Sequence, residues 1–322
     1  MQNKINKTEK LDRIRKNGRK FAVTSEIRGG INSCVYYAKD SEGKEHCLKF
    51  YPKPSEKDTR ERLETERKFL EYLQTCGIDN VPIVEDYSRN ENWLMTNWIK
   101  GKKPKEMNKK EIESIIEFIA ESNNEKLVNE RNKLRMASEA LVSANSLIGS
   151  IGNRLGAFTK VKPINDTEEE VKQWIKKSIT PLSKKEEEKL GCAKMKLLTK
   201  KLIASHSDVG VHNTIKREGK IYFIDFEYAG RDNIVKLIAD WIYQPEHNLD
   251  KFKKEYIIEK VDERLGDKIQ SDWKTQLRQL EALICLKWGL IILNQHTSEK
   301  DLKEKLLKAR NYLCKHERVL FE

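Results

Sequence analysis

The alternation of apolar and polar positions divides the chain into a β-rich beginning and a mainly helical remainder. Residues 21–27 alternate weakly, while 33–38 and 46–51 read as strands separated by turn residues at Gly29, Gly30 and Gly43. Residues 59–73 carry apolar side chains at 63, 69, 70 and 73, which is helical spacing. Two more strands are expected over 81–87 and 92–100, closing at Gly101. Trp93 and Met95 read as core, because large apolar residues on such strands fill interiors.

Beyond Gly101 the period becomes helical. Residues 109–125 place apolar side chains at 112, 115, 116, 119 and 120. A helical pattern continues over 127–155 through Leu134, Ala137, Leu141, Leu147, Ile148 and Ile151, with a break expected near Gly149 and Gly152. Helices are predicted over 167–179 and 183–201, each with a Ser or Thr as N-cap, and over 233–243, 249–265, 271–294 and 299–314. One β-like interruption stands among them. Runs 213–215 and 221–224 flank a turn in which Gly219 can take a positive φ. No period indicates a repeat array. The element order predicts an α+β chain with a β-rich first lobe over 1–100 and a helical lobe over 101–322.

Composition narrows the class. The 322 residues suffice for two lobes, and 38% hydrophobic with 35% charged residues indicates a folded chain with long charged helical surfaces. No apolar run approaches the ~20 residues of a membrane span. The first ten residues lack the apolar core of a signal peptide, so a cytoplasmic location is expected. Six cysteines, at 34, 47, 76, 192, 285 and 314, show no metal or redox spacing and read as reduced apolar residues. The net charge of +12 comes from basic residues mixed with glutamates along the chain, without an RNA-binding signature, so no specific nucleic-acid partner is expected. That charge weighs against a polycationic substrate and suits an anionic or neutral one.

The chemistry concentrates in 206–227. His206-Ser-Asp208-Val-Gly-Val-His212-Asn213 sets out H-x-D-x(4)-N, and Ile224-Asp225-Phe226-Glu227 follows the second β-like run. Phosphoryl transfer from a magnesium nucleotide needs these residue types. A carboxylate such as Asp208 holds and partly deprotonates the attacking hydroxyl, while an amide oxygen (Asn213) and a second carboxylate (Asp225) hold the metal. Magnesium keeps several waters, so two protein ligands suffice. Lys49, flanked by Leu48 and Phe50, is placed to reach nucleotide phosphates; an outward lysine on an alternating strand is the plainer alternative. Glu66 shares the face of Phe69 and Leu73 and is the favoured carboxylate to pair with Lys49, with Glu61 and Glu64 as alternatives. Gly29 and Gly30 offer small backbone near phosphates.

On these residues, and on the longer run Ser205 to Asn213 joined to Asp225-Phe-Glu-Tyr-Ala-Gly230, the chain resembles the aminoglycoside phosphotransferase and choline kinase family, small-molecule relatives of protein kinases. The resemblance implies a bilobal protein-kinase-like fold and a nucleotide-binding first lobe. It implies Asp208 as catalytic base, His206 shaping its loop, and Asn213 and Asp225 as Mg2+ ligands, with Glu227 on a second magnesium or its water. It also implies a purine-binding hinge at Asn97, Trp98 and Ile99. The expected reaction moves the γ-phosphoryl group of ATP or GTP to a hydroxyl of a sugar, amino alcohol or aminoglycoside. Candidate acceptor contacts are Ser138 and Glu139 (in an A-S-E-A run), His212 and Asp240; His212 is equally readable as a stacking residue of the loop. A non-catalytic nucleotide-binding regulator of the same fold is the alternative, and the presence of Lys49, Asp208, Asn213 and Asp225 argues against it. The short segment from Asp225 to the next helix suits a small acceptor better than a protein substrate.

Overall fold

The structure, a computed structural model, describes residues 22–27, 33–56, 58–192, 201–247, 249–294 and 297–321. The chain forms two compact units. One comprises the chain up to Pro104 together with Asn213–Ala229; the other comprises Lys105–His212 and the chain from Gly230 onward. The sequence division near residue 100 left 213–229 with the helical part, whereas its contacts assign that hairpin to the first unit.

The first unit is built on an antiparallel sheet of β1 (Ala22–Ile27), β2 (Cys34–Lys39), β3 (Glu45–Phe50), β4 (Val84–Ser88) and β5 (Trp93–Asn97), in the order β1-β2-β3-β5-β4. Side chains alternate across the pleat. Tyr36, Ala38, Leu48, Phe50, Trp93 and Met95 therefore share one face and bury as a cluster. Lys49 stands on the other face, opposite Val35 and Leu94. Helix α1 (Arg62–Thr75) buries Leu63, Glu66, Phe69, Leu70 and Leu73. Phe69 stacks on Phe226, with ring centroids 5.6 Å apart. The late hairpin pairs Thr214–Arg217 with Lys220–Phe223. Its two-residue turn puts Glu218 and Gly219 at φ 49° and 82°, the double positive φ that matches strand twist. Asn80 grips the hairpin, accepting from Phe223 N at 2.9 Å and donating to Ile221 O at 3.0 Å.

The second unit is helical: α2 (Lys109–Glu121), α3 (Val128–Lys133), α4 (Ala144–Thr159), α5 (Asp166–Trp174), α6 (Thr180–Cys192), α7 (Ile234–Tyr243), α8 (Lys251–Leu265), α9 (Trp273–Ile292), α10 (Glu299–Lys315) and α11 (Glu317–Phe321). Every residue of α7 is buried. A two-strand pair, Ile203–Ser205 with Gly230–Asp232, precedes it. The Asn123 side chain clamps Ala204, donating to its carbonyl at 3.0 Å and accepting from its N–H at 2.8 Å.

Three sequence expectations change. The pattern over 127–155 is not one helix broken at glycine. The chain leaves the helix at Leu134, because Arg135 O and Ala137 N hydrogen-bond to the backbone of Arg231, and it re-enters at Ser143, whose hydroxyl caps α4. Gly149 and Gly152 lie inside α4. The expected gap between 179 and 183 is absent, since a π-helical turn, Ile175–Ile179, carries α5 into α6. Residues 193–200, at the end of the second of those predicted helices, lie outside the described residues.

Gly101 has φ +149°, and a Cβ there would lie 2.5 Å from Ile215 Cγ2 and 2.6 Å from Lys216 O. Gly101→Ala should therefore destabilise the protein by roughly 2–3 kcal/mol through strain and the displaced hairpin, read from urea denaturation midpoints.

Candidate active site

Within the first unit, a strand, a helix and the end of the hairpin bring one lysine among three carboxylates. Lys49 Nζ donates to Glu66 Oε2 at 2.7 Å, makes an ion pair with Asp225, and lies 3.4 Å from Glu227 Oε2. Tyr51 Oη also donates to Glu66 Oε2 at 2.7 Å. Burial opposes the lysine's charge, but Asp225 and Glu66 outweigh it and hold its pKa well above the ordinary range. Of the three glutamates weighed on α1, Glu66 is therefore the one at Lys49. Glu64 instead binds Arg67 and Arg89, and Glu61 stands at the helix N-cap.

The hairpin determines where Asp225 stands. Ile224 N donates to Asn213 O at 3.0 Å, so Asn213 and Asp225 flank the open end of the paired strands. Asp225 itself has φ +67°, a left-handed conformation uncommon for a residue with a side chain. Carboxylate oxygens of Glu66, Asp225 and Glu227 all lie within 4.8 Å of one another. Glu227 is 4% exposed, and its Oε2 is buried without a hydrogen-bond partner. Arg62 Nε lies 3.7 Å from its other oxygen. Glu66 Oε2 accepts two hydrogen bonds, from Lys49 and Tyr51, whereas Asp225 meets Lys49 through Oδ1 and Glu227 Oε2 accepts none, so Asp225 and Glu227 have more capacity for a divalent cation, and hard oxygen donors of this kind suit Mg2+.

At the proposed hinge, Asn97 N donates to Ile83 O at 3.2 Å and Trp98 N to Glu45 O at 3.1 Å, so both N–H groups are used within the unit. Trp98 meets Tyr37 edge-on at 4.9 Å, and Ile99 is half-buried beside it. Gly29 and Gly30 lie outside the described residues.

The second unit holds the turn that carries Asp208. His206 is buried after the strand Ile203–Ser205, and Ser207 takes φ +69°. Ser207 N donates to Ser205 Oγ at 3.0 Å, and Ser207 Oγ accepts from Lys236 Nζ at 3.2 Å. Asp208 is half-buried, with Oδ1 3.2 Å from His212 Nε2. His212 stacks on His247 at 5.3 Å. His247 Nδ1 lies 2.7 Å from Trp241 O, which can only accept, so Nδ1 carries the hydrogen and Nε2 accepts from His212 Nδ1 at 3.3 Å. Gly210 makes room for this ring, because a Cβ there would lie 1.9 Å from His247 Nε2. His212 thus stacks on His247 while its Nε2 faces the Asp208 carboxylate.

Asp240 lies in α7, where Lys287 Nζ and Trp288 Nε1 donate to its Oδ1 at 2.5 Å and 3.0 Å and Lys236 Nζ lies 3.2 Å from Oδ2. Ser138 and Glu139 sit in the loop after α3 instead of on a helix. Glu139 has φ +53° and its carboxylate binds Arg154 Nη2 at 2.6 Å. Sequence reading missed Lys236, Lys287, Arg154 and Tyr51. Lys236 had a signal: a lone lysine in an apolar helix, four residues from both Asp232 and Asp240.

Burial lowers the His247 pKa to about 4. The unfolded chain binds that proton near pH 6.5 and the folded chain does not until about 4, so stability falls as pH drops through this window. Between pH 7 and 5 the loss from this group should be about 2 kcal/mol, and His247→Asn should flatten the urea-denaturation pH profile by that amount.

A family model described as "Phosphotransferase enzyme family" matches residues 23–236. A sequence search of curated proteins found no match. Among solved structures, the chain resembles an ethanolamine kinase of Plasmodium vivax (16% identity, 92% of this chain and 83% of that one, TM-score 0.60). It also resembles a spectinomycin phosphotransferase solved with ADP and spectinomycin (15% identity, 96% and 99%, TM-score 0.60). A third is a choline kinase of Cryptosporidium parvum (14% identity, 93% and 90%, TM-score 0.61). At these identities the likeness shows the fold: α+β, protein-kinase-like.

Proposed function

The chain belongs to the phosphotransferase enzyme family, and we propose that it is a kinase that moves the γ-phosphoryl group of ATP or GTP to a hydroxyl of a small molecule. The observation that carries this reading is the buried Lys49 bound to both Glu66 and Asp225, with Asn213 at the same end of the hairpin as Asp225. A lysine held on both sides by carboxylates is positioned to bind phosphate oxygens as they gain charge. Asn213, Asp225 and Glu227 would hold Mg2+, which supplies charge neutralisation on the phosphates.

Asp208 accepts the proton of the acceptor hydroxyl as its oxygen forms the new bond to the γ-phosphorus. The bond from that phosphorus to the bridging oxygen breaks, and the nucleoside diphosphate leaves with the electron pair. His206 and the Ser207 turn hold the Asp208 backbone. Ethanolamine, choline and spectinomycin, named for the structural neighbours, are all hydroxyl compounds, which supports that acceptor group in general.

Asp208→Asn should lower kcat about 10^2- to 10^4-fold with nucleotide affinity nearly unchanged. Asp225→Ala should instead remove magnesium-dependent nucleotide binding. The assay is transfer from labelled ATP and GTP to pooled hydroxyl compounds, beside fluorescence titration of nucleotide. Full turnover by Asp208→Asn would place the base elsewhere. Lys49→Met leaves three carboxylates without their ammonium and should destabilise the protein by about 3–5 kcal/mol.

A further inference from the structure

A buried arginine stands beside the proposed metal ligands of the first unit. Arg62 opens α1 and Glu66 follows four residues later, so one face of the helix presents both, and both are buried. Glu66 takes Lys49. Arg62 instead approaches Glu227, whose carboxylate lies between two cations, with Lys49 Nζ 3.4 Å from Oε2 and Arg62 Nε 3.7 Å from Oε1. A cation in the first turn of a helix opposes the helix dipole, so α1 itself gives no reason for an arginine at this position. Its anionic partners do.

The guanidinium is fixed from its far side. Arg62 Nη2 donates to Asp58 Oδ2 at 2.6 Å, Asp58 is itself bound by Arg60 Nε at 2.7 Å, and the Tyr228 ring lies 5.8 Å from Arg62 Cζ. Arg62 Nε nonetheless has no hydrogen-bond partner among the described residues, and neither has Glu227 Oε2, although both atoms are buried. Charged groups this deep, each with a polar atom left over, are costly unless something completes them. The 3.7 Å gap is too long for a hydrogen bond and short enough for an ion pair. Arg62 thus draws on the Oε1 edge of Glu227, and Oε2, on the Lys49 side, stays without a donor.

We propose that Arg62 is a positioning residue of the metal site: it holds Glu227 by Oε1 and so leaves Oε2 to a divalent cation shared with Asp225. This rests on the kinase reading above and adds to it the residue that orients the buried metal ligand. The arginine acts through the carboxylate and touches neither metal nor nucleotide. Its charge alone would repel a cation. Removing that charge should therefore tighten metal binding, whereas removing the support of Glu227 should loosen it, and the two roles are told apart by sign.

The test is Mn2+ binding by the full chain with ADP present, read from the EPR signal of free Mn2+, beside ADP affinity in EDTA. Arg62→Met should weaken Mn2+ binding roughly ten- to a hundredfold. ADP affinity in EDTA should change less than about twofold, and in a Glu227→Gln background the further loss from Arg62→Met should likewise stay under about twofold. Arg62→Lys keeps the charge but not the planar fork that spans Asp58 and Glu227. It should weaken Mn2+ binding at least about threefold, and it carries the test if the methionine variant fails to fold. Mn2+ binding unchanged or tightened in the Arg62 variants, or a loss as large in the Glu227→Gln background as in the native chain, would overturn the proposal. Asp225→Ala separates the two readings. Mn2+ binding that survives Asp225→Ala removes the metal site itself and the reading it belongs to, whereas binding lost in Asp225→Ala yet kept in the Arg62 variants removes only the role of Arg62.

Discussion

A buried ammonium among three carboxylates is the constraint on which the first unit depends. Lys49 comes from the central strand, Glu66 from the helix, and Asp225 and Glu227 from a hairpin that arrives more than a hundred residues later. Each of these charges is expensive to take out of water alone, and together they satisfy one another. Sheet, helix and hairpin are thereby held to a single arrangement, since moving any of them leaves a charge unpaired. Apolar contact reinforces this at the Phe69–Phe226 stack, but apolar packing tolerates small shifts that ion pairs at 2.7 Å do not.

The second unit uses the same physics differently. Its most buried helix, α7, carries Lys236 and Asp240 within an otherwise apolar run, and Lys287 and Trp288 reach Asp240 from α9. The result fixes the crossing of two helices and connects it to the turn that presents Asp208. Ser207 and Asp225, at or beside the two carboxylates proposed for catalysis and metal binding, both occupy left-handed backbone that a side chain disfavours. Such local strain persists where surrounding contacts over-determine it, as the Lys236–Ser207 hydrogen bond and the Lys49–Asp225 ion pair do here.

Much of this was legible in the sequence, and the reasons are specific. The strands around Lys49 and the hairpin with Gly219 were readable because alternation and turn chemistry are local signals. The pairing of Lys49 with Glu66 was readable because helix periodicity put Glu66 on the same face as Phe69 and Leu73. The interruption over 134–143 was not, since apolar residues there keep a helical period while their backbone bonds to Arg231, nearly a hundred residues away. The His212–His247 stack was equally hidden, because it depends on the absence of a side chain at Gly210 and on a free carbonyl at Trp241.

The assignment of 213–229 to the first unit has a consequence for how the chain acquires its structure. The strand with Lys49 emerges early in synthesis, yet its partners Asp225 and Glu227 follow only after the whole of the second unit's first segment has been made. Until then Lys49 has only Glu66 of its three carboxylates available, and Phe69 lacks the ring that stacks on it. Its completion is a long-range closure, slow in the way non-local contacts are, and exposed meanwhile to association with other nascent chains. For the same reason no single cut yields two independent halves: a chain ending at Pro104 would lack its own hairpin, and one starting at Lys105 would carry a hairpin that belongs elsewhere.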